Sequence, residues 1–418
     1  MQRDMLLNSV QTHLETLCND IADRSVGSDG NRQATRYFQD VLESLCWLTD
    51  SQAFQAMDWH DGGATLTVDQ REFQVRVSPY SPGCSATAEL ISGSNLSELE
   101  RGDFQGKILL LYGELAKEQL MPKNFVFYNP EEHQQIVSLL EESKVKAIIA
   151  ATGRNAALAG GVYPFPLIED GDFDIPSVYM TEEEGRRLLP HVGETATLHS
   201  VSRRIPGDGY NIIGKRGGSQ AGRIVVTAHI DAKKGTPGAT DNATGVTVLL
   251  LLAQLLQGYS GSTPIELVAF NGEDYYAVPG QMQYIKANQN NFNDILLNIN
   301  IDGAGYIEGK STFSFFDLPE GFKKKMMQIV HKYPETKEGV QWPQGDHSIF
   351  LQYGRPALAV SSEWFTEHGE SQDITHTPKD NLSIVDCDKI VVIARALDEI
   401  IRELSQESTY KMLHRENY

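Results

Sequence analysis

The sequence predicts an α/β protein built on a mostly parallel sheet, and three observations carry that expectation. From Tyr210 onward, short apolar runs alternate with segments of helical period, the pattern of strands joined by crossover helices. Residues 84–200 show the same alternation as a second unit, set off by Pro79, Pro82 and Gly83. Carboxylates and histidines follow several of the apolar runs, where the strand ends of such a sheet open into a crevice.

Taken in order, residues 5–45 read as two helices joined by a turn at Val26-Gly27-Ser28-Asp29-Gly30-Asn31, after which Ala34, Phe38, Val41, Leu42 and Leu45 recur at helical spacing. From Phe54 to Val77, alternation such as Ala64-Thr-Leu-Thr-Val68 and Phe73-Gln-Val-Arg-Val77 predicts antiparallel strands. In the second unit, Gly106–Tyr112 is a buried strand, Glu132–Ser143 a helix and Val145–Ala150 a strand. A Gly/Pro-rich loop from Gly160 to Pro166 leads to the strand Ile175–Met180, and Thr181-Glu-Glu-Glu184 opens a helix. No metal-binding constellation shows in this unit. Beyond it, Arg223–Ala228, Ile265–Phe270 and Ile295–Ile301 are strands. Thr244–Leu256 is a buried helix, and Asp388–Leu404 is an amphipathic one carrying Ile390, Ile393, Leu397, Ile400, Ile401 and Leu404.

Composition narrows the class of partner. A chain of 418 residues is long enough for two or three units. Its 36 Lys and Arg against 56 Asp and Glu give a net charge of -20, which argues against nucleic acid or an anionic membrane as partner. The longest apolar stretch, Val246–Leu256, falls well short of the ~20 residues that span a bilayer. The opening Met-Gln-Arg-Asp-Met-Leu-Leu-Asn turns polar before a signal region develops. Cys18, Cys46, Cys84 and Cys387 are scattered without CxxC spacing, the usage of reduced thiols, so a cytoplasmic protein is expected.

The chemistry lies in His229, Asp231, Asp241, Glu273-Asp274, Asp302 and His376. Apart from Asp231, each has a plainer reading: a strand-end histidine for His229, a helix N-cap for Asp241, solvated loop charges or a helix N-terminus for Glu273 and Asp274, an Asp-Gly turn for Asp302, a surface residue for His376. Read together, they are a two-metal hydrolase site. A pair of divalent cations needs carboxylates and neutral imidazoles arriving from separate elements, plus one carboxylate free to take a proton from water.

The stretches Thr227-Ala-His229-Ile-Asp231, Gly238-Ala-Thr-Asp241-Asn242-Ala-Thr-Gly245, Phe270-Asn-Gly-Glu273-Asp274, Asn300-Ile-Asp302-Gly303, Gly345-Asp346-His347-Ser348-Ile-Phe350 and His376-Thr-Pro-Lys-Asp380 resemble the co-catalytic zinc aminopeptidases, the family that includes bacterial leucine aminopeptidase and glutamate carboxypeptidase. Arg24-Ser-Val-Gly27-Ser28 looks like the family's N-terminal approach to the same domain. The resemblance spans essentially the whole chain, strong over 208–404 and weaker over 84–200. It implies a mixed, mostly parallel α/β sheet sandwiched by helices: a peptidase domain formed by residues 1–83 and 201–418, with a smaller protease-associated-like α/β insertion over 84–200. It further implies two divalent ions, zinc with cobalt or manganese as alternatives. One would be held by His229, Asp241 and Asp302, the other by Asp241, Asp274 and His376. Asp241 would bridge, Glu273 would be the general base, Asp231 would orient His229, and the peptide after Asp241 would be cis.

Two departures stand out: many relatives carry Glu where this chain has Asp274, and some place Tyr where it has Thr375, which leaves the oxyanion donor unassigned between Tyr275, Tyr276 and others. The implied activity is removal of N-terminal residues from peptides with a free N-terminus by a two-metal activated water. The alternatives are a carboxypeptidase or dipeptidase of the same fold, which needs a cationic clamp such as Arg355 or Lys379, a mono-zinc glutaminyl cyclase, or a non-catalytic binding protein. Oligomeric state and preferred N-terminal residue are not written in the sequence.

Overall fold

A computed structural model describes residues 2–21, 23–154, 162–218, 222–369 and 371–406. It divides the chain into two compact units: Met1–Ala56 with Asp208–His368 and Ile374–Tyr418, and Met57–Gly207 with Gly369–Asp373. Gly160 and Gly161 of the expected Gly/Pro-rich loop lie outside the described residues.

At the centre of the first unit, four parallel strands lie side by side in the order Ala357–Ser362, Ile295–Ile301, Arg223–His229, Ile265–Phe270. All but Arg223 and Glu266 in these strands are buried, as expected of a parallel sheet covered on both faces. Ser311–Phe316 runs antiparallel beside Ala357–Ser362 and carries the short parallel strand Thr336–Glu338. On the other side, residues 212–216 of the strand Thr195–Arg216 pair antiparallel with Ile265–Phe270. The sheet is therefore mixed, with its parallel strands in the middle.

One face of this sheet is covered by the helix Thr244–Leu255, whose run Thr244–Ala253 is entirely buried because the helices Arg3–Glu15, Asp29–Ser44 and Cys387–Leu404 close over it. The two N-terminal helices flank a turn at Gly27, with a short π-helical turn over Thr16–Asp20 closing the first. Ser28 caps the second by accepting from the Asn31 amide at 3.0 Å.

The second unit has its own parallel ladder, Cys84–Gly93, Ile108–Leu111, Ala147–Thr152 and Ser177–Thr181. The helices Glu131–Glu142 and Glu182–Leu188 belong to it, and Thr181 caps the latter by accepting from the Glu184 amide at 3.2 Å. Val68 and Arg71 close an antiparallel hairpin through Asp69 and Gln70, both at positive φ (47° and 64°), which matches the right-handed twist of the paired strands. Two apolar clusters, around Leu109, Ile136 and Ile148 and around Leu110, Ile149 and Leu198, make up its core. No described helix is long and apolar enough to cross a membrane. The four cysteines are free thiols.

Candidate metal centre

The C-terminal ends of the parallel strands bring the predicted residues together. His229 is the last residue of its strand, Asp302 follows Ile295–Ile301 directly, and Glu273 and Asp274 lie just beyond Ile265–Phe270. Asp241 sits in the segment that enters the helix Thr244–Leu255, and the peptide bond that follows it, to Asn242, is cis. It does not serve as an N-cap. The Asn242 side chain accepts from the Gly245 amide instead, at 3.1 Å, leaving the Asp241 carboxylate for the site.

That carboxylate faces two imidazoles with its two oxygens. Oδ1 lies 3.1 Å from His229 Nε2, and Oδ2 lies 3.1 Å from His376 Nε2. Asp302 Oδ1 is 3.6 Å from His229 Nε2, and Asp274 Oδ1 is 3.0 Å from His376 Nε2. Two triads thus share Asp241: His229 and Asp302 on one side, Asp274 and His376 on the other. His376 sits at φ 62°, in the left-handed region that non-glycine residues seldom adopt, in the loop before the helix Cys387–Leu404. Its side chain is 32% exposed, whereas that of His229 is 1% exposed, so the site opens on the His376 side.

Asp231 is fully buried, and its carboxylate does more than face His229. Oδ1 accepts from the Gly272 amide at 2.7 Å and Oδ2 from the Asp274 amide at 3.0 Å, so Glu273 is bracketed by two hydrogen bonds to one side chain. His229 Nδ1 lies 3.2 Å from the Asp231 carbonyl oxygen and 3.7 Å from its carboxylate. The same Glu273 loop is held from the N-terminal segment, where Asn31 and Asn271 exchange reciprocal amide hydrogen bonds of 2.9 Å.

The electrostatics are those of anionic oxygens and imidazoles crowded out of water. Burial pushes Glu273 well above the usual carboxylate range, and Asp274, Asp302 and Asp346 add to the rise. Asp302 is raised for the same first reason. Burial opposes charging of His229, yet its contacts with Asp231, Asp241 and Asp302 outweigh burial and hold it well above the imidazole range. His376 is raised likewise against burial, by Asp274 and Asp241. Asp241 goes the other way: burial would raise it, but the two imidazoles hold it below the carboxylate range.

Such a set fits divalent metal. Ligands bound at 2.0–2.1 Å in tetrahedral array stand about 3.3 Å apart, and the donor pairs here span 3.0–3.6 Å. Among the described residues, buried His229 Nε2 has ion-pair neighbours, but neither it nor buried Asp274 Oδ2 has a hydrogen-bond partner of proper geometry, as expected of atoms shaped to face a cation. Among the described residues, His229, Asp241 and Asp274 offer donor atoms all within 4.8 Å of one another.

Other predicted residues lie elsewhere. Arg355 is not beside the site: it precedes the strand Ala357–Ser362, and its Nη1 donates to the Asn293 carbonyl, at the N-terminal ends of strands whose C-terminal ends carry the site. A seven-residue strand puts it about 20 Å away. His347, in the stretch Gly345–Phe350, is fully buried and faces the Trp342 carbonyl at 2.9 Å through Nε2. Its neighbour Asp346 accepts from Gln281 Nε2 at 2.8 Å and is pushed up to about 7, first by burial. The sequence shows the stretch holding Asp346 but not its companion Gln281, 65 residues earlier.

Residues 211–401 match the model of peptidase family M28. Among curated proteins, a probable leucine aminopeptidase 2 of Aspergillus oryzae is 22% identical over 85% of this chain and 64% of its own length. Aminopeptidase YwaD of Bacillus subtilis is 21% identical over 59% of this chain and 56% of its own length. The chain thus spans less than two thirds of these relatives. Among solved structures, an aminopeptidase from Aneurinibacillus sp. strain AM-1 superposes with a TM-score of 0.72 at 20% identity, covering 94% of this chain and 93% of that one. BSAP, a zinc aminopeptidase from Bacillus subtilis, superposes with a TM-score of 0.74 at 18% identity, covering 95% of each chain. The resemblance read from the sequence therefore holds for the family segment and for the fold.

Proposed function

We propose that the chain is a zinc-dependent aminopeptidase that hydrolyses the first peptide bond of substrates with a free N-terminus. The observation that carries this reading is the bridging carboxylate: Asp241 offers one oxygen to the His229 side and the other to the His376 side, each at 3.1 Å. His229, Asp241 and Asp302 would hold one ion, and Asp241, Asp274 and His376 the other. A divalent pair, when bound, supplies positive charge that polarises a carbonyl and makes water more acidic.

The chain's own residues do the rest. Glu273 accepts the proton of the attacking water at its carboxylate and returns it to the leaving amine. Its burial favours the protonated form and so suits it to that shuttle. Asp231 keeps Glu273 in place by holding the amides on either side of it, and the Asn31–Asn271 pair fixes the start of the same loop. The carboxylates that surround the metals attract the substrate's free ammonium group, which favours cleavage from the N-terminus. Residues 84–200 would supply no chemistry.

The test pairs zinc titration with a panel of aminoacyl chromogenic substrates, their N-acetyl forms and C-terminally free dipeptides. Two zinc ions per chain and hydrolysis confined to free amines are expected. Saturation at one ion, or equal turnover of N-acetyl substrates, would overturn the reading.

A further inference from the structure

The loop between the strand Arg223–His229 and the helix Thr244–Leu255 is gripped on two sides by residues outside the proposed ligand set. Arg24 is 2% exposed, and among the described residues no carboxylate is paired with it. Its guanidinium donates instead to carbonyls: Nε to Ile230 at 3.1 Å, Nη1 to Pro237 at 2.8 Å and to Leu17, and Nη2 to Gly238 at 2.8 Å. A buried cation without an anion is costly unless its N–H groups are satisfied, and here four bonds spread over four carbonyls meet most of the five donors.

Asp380, fully buried, takes the amides of the same loop. Oδ1 accepts from the Thr240 amide and hydroxyl, both at 2.7 Å, and Oδ2 accepts from the Asp241 amide at 3.0 Å. Gly238 fits between the two grips. It lies at φ +58°, and a Cβ there would come within 2.8 Å of Arg24 Nη2 and 2.6 Å of the Asp241 carbonyl oxygen.

We infer that Arg24 and Asp380 form a two-sided backbone clamp on Pro237–Asp241 and act as positioning residues that set the bridging carboxylate for both metal ions. The inference rests on the metal reading above. The clamp works because it fixes the main chain up to the Asp241 nitrogen, leaving the side chain to rotate little between the two imidazoles. A bridging ligand out of place weakens both ions at once, whereas loss of an outer ligand weakens one.

The test compares the full-length protein with Arg24→Met, Asp380→Asn and Asp302→Asn. The readouts are zinc affinity and stoichiometry by titration, turnover at limiting and excess zinc, and hydrogen exchange of the metal-free Thr240 and Asp241 amides. Each clamp variant should weaken both ions by tenfold or more, regain turnover in excess zinc at unchanged KM, and speed exchange at 240 and 241 by at least tenfold. Asp302→Asn should weaken one ion. If Arg24→Met does not fold, Asp380→Asn carries the same expectations. Wild-type zinc affinity in folded clamp variants, or unchanged exchange at the two amides, would overturn the clamp. A wild-type chain that binds no zinc would overturn the metal reading instead, and exchange alone would then decide the clamp.

Discussion

Glu273 and Asp274 are adjacent acids with separate surroundings, and that separation is testable. Asp274 lies 3.0 Å from His376, while Glu273 faces no imidazole at ion-pair distance among the described residues. Glu273→Gln keeps the size and hydrogen bonding of the side chain but takes no proton, so turnover should fall by roughly 100-fold or more with both ions retained. Asp274→Asn should instead lose zinc from one side, with part of the activity returning at high zinc. Metal analysis beside steady-state rates separates the two; loss of an ion from Glu273→Gln would reverse the assignment. Most residues nearest the chemistry are legible in sequence because they stand at a strand end or Gly-rich turn, whereas His376 lies in a plain loop and is picked out only by the resemblance. Their supports are not. Asn31 and Asn271 meet across 240 positions, and Arg24 reaches Gly238 across 214, pairings that no local pattern encodes.

Among the elements, the long apolar strands and the amphipathic helix Cys387–Leu404 were readable because burial on both faces, or on one, leaves a continuous or periodic apolar trace. Ser311–Phe316 was not read, although all six residues are buried. Its Thr312 and Ser314 hydroxyls donate to the Ser361 and Val340 carbonyls at 3.2 and 2.6 Å, so polar side chains are satisfied inside the sheet by partners a linear pattern hides. Thr195–Arg216 has no continuous apolar trace, because Pro206, Gly207 and Gly209 interrupt it. In the helix Arg3–Glu15, His13 is 5% exposed and burial lowers it to about 4; His347 is lowered to about 4 by burial as well. Both stay neutral in the fold and bind protons in the unfolded chain below about pH 6.5. The stability they lend is whole above that pH and is lost as pH falls toward 4, by on the order of 2–3 kcal/mol for each. Urea midpoints measured from pH 7 to 5 should fall, and His13→Phe should remove about one proton from that dependence. An unchanged slope would count against burial as the cause.

At the scale of the whole molecule, a net charge of -20 concentrates part of its acid where cations can offset it. Zinc should therefore stabilise the fold as well as serve the site. A ligand present at 100 times its Kd adds about 2.7 kcal/mol per site, so chelation should lower the Tm by several degrees and zinc should restore it. A Tm indifferent to chelator would mean that metal is not held by the native state. The two-sided hold on the loop before Asp241 also has a meaning in time. It joins Arg24 to Asp380 through the loop they share, and in the sequence His376 comes just before Asp380. Until that stretch is made, neither the second triad nor the full hold on the bridging carboxylate exists. In the order of synthesis, the residues that complete the proposed metal centre therefore come after the strand ends that begin it.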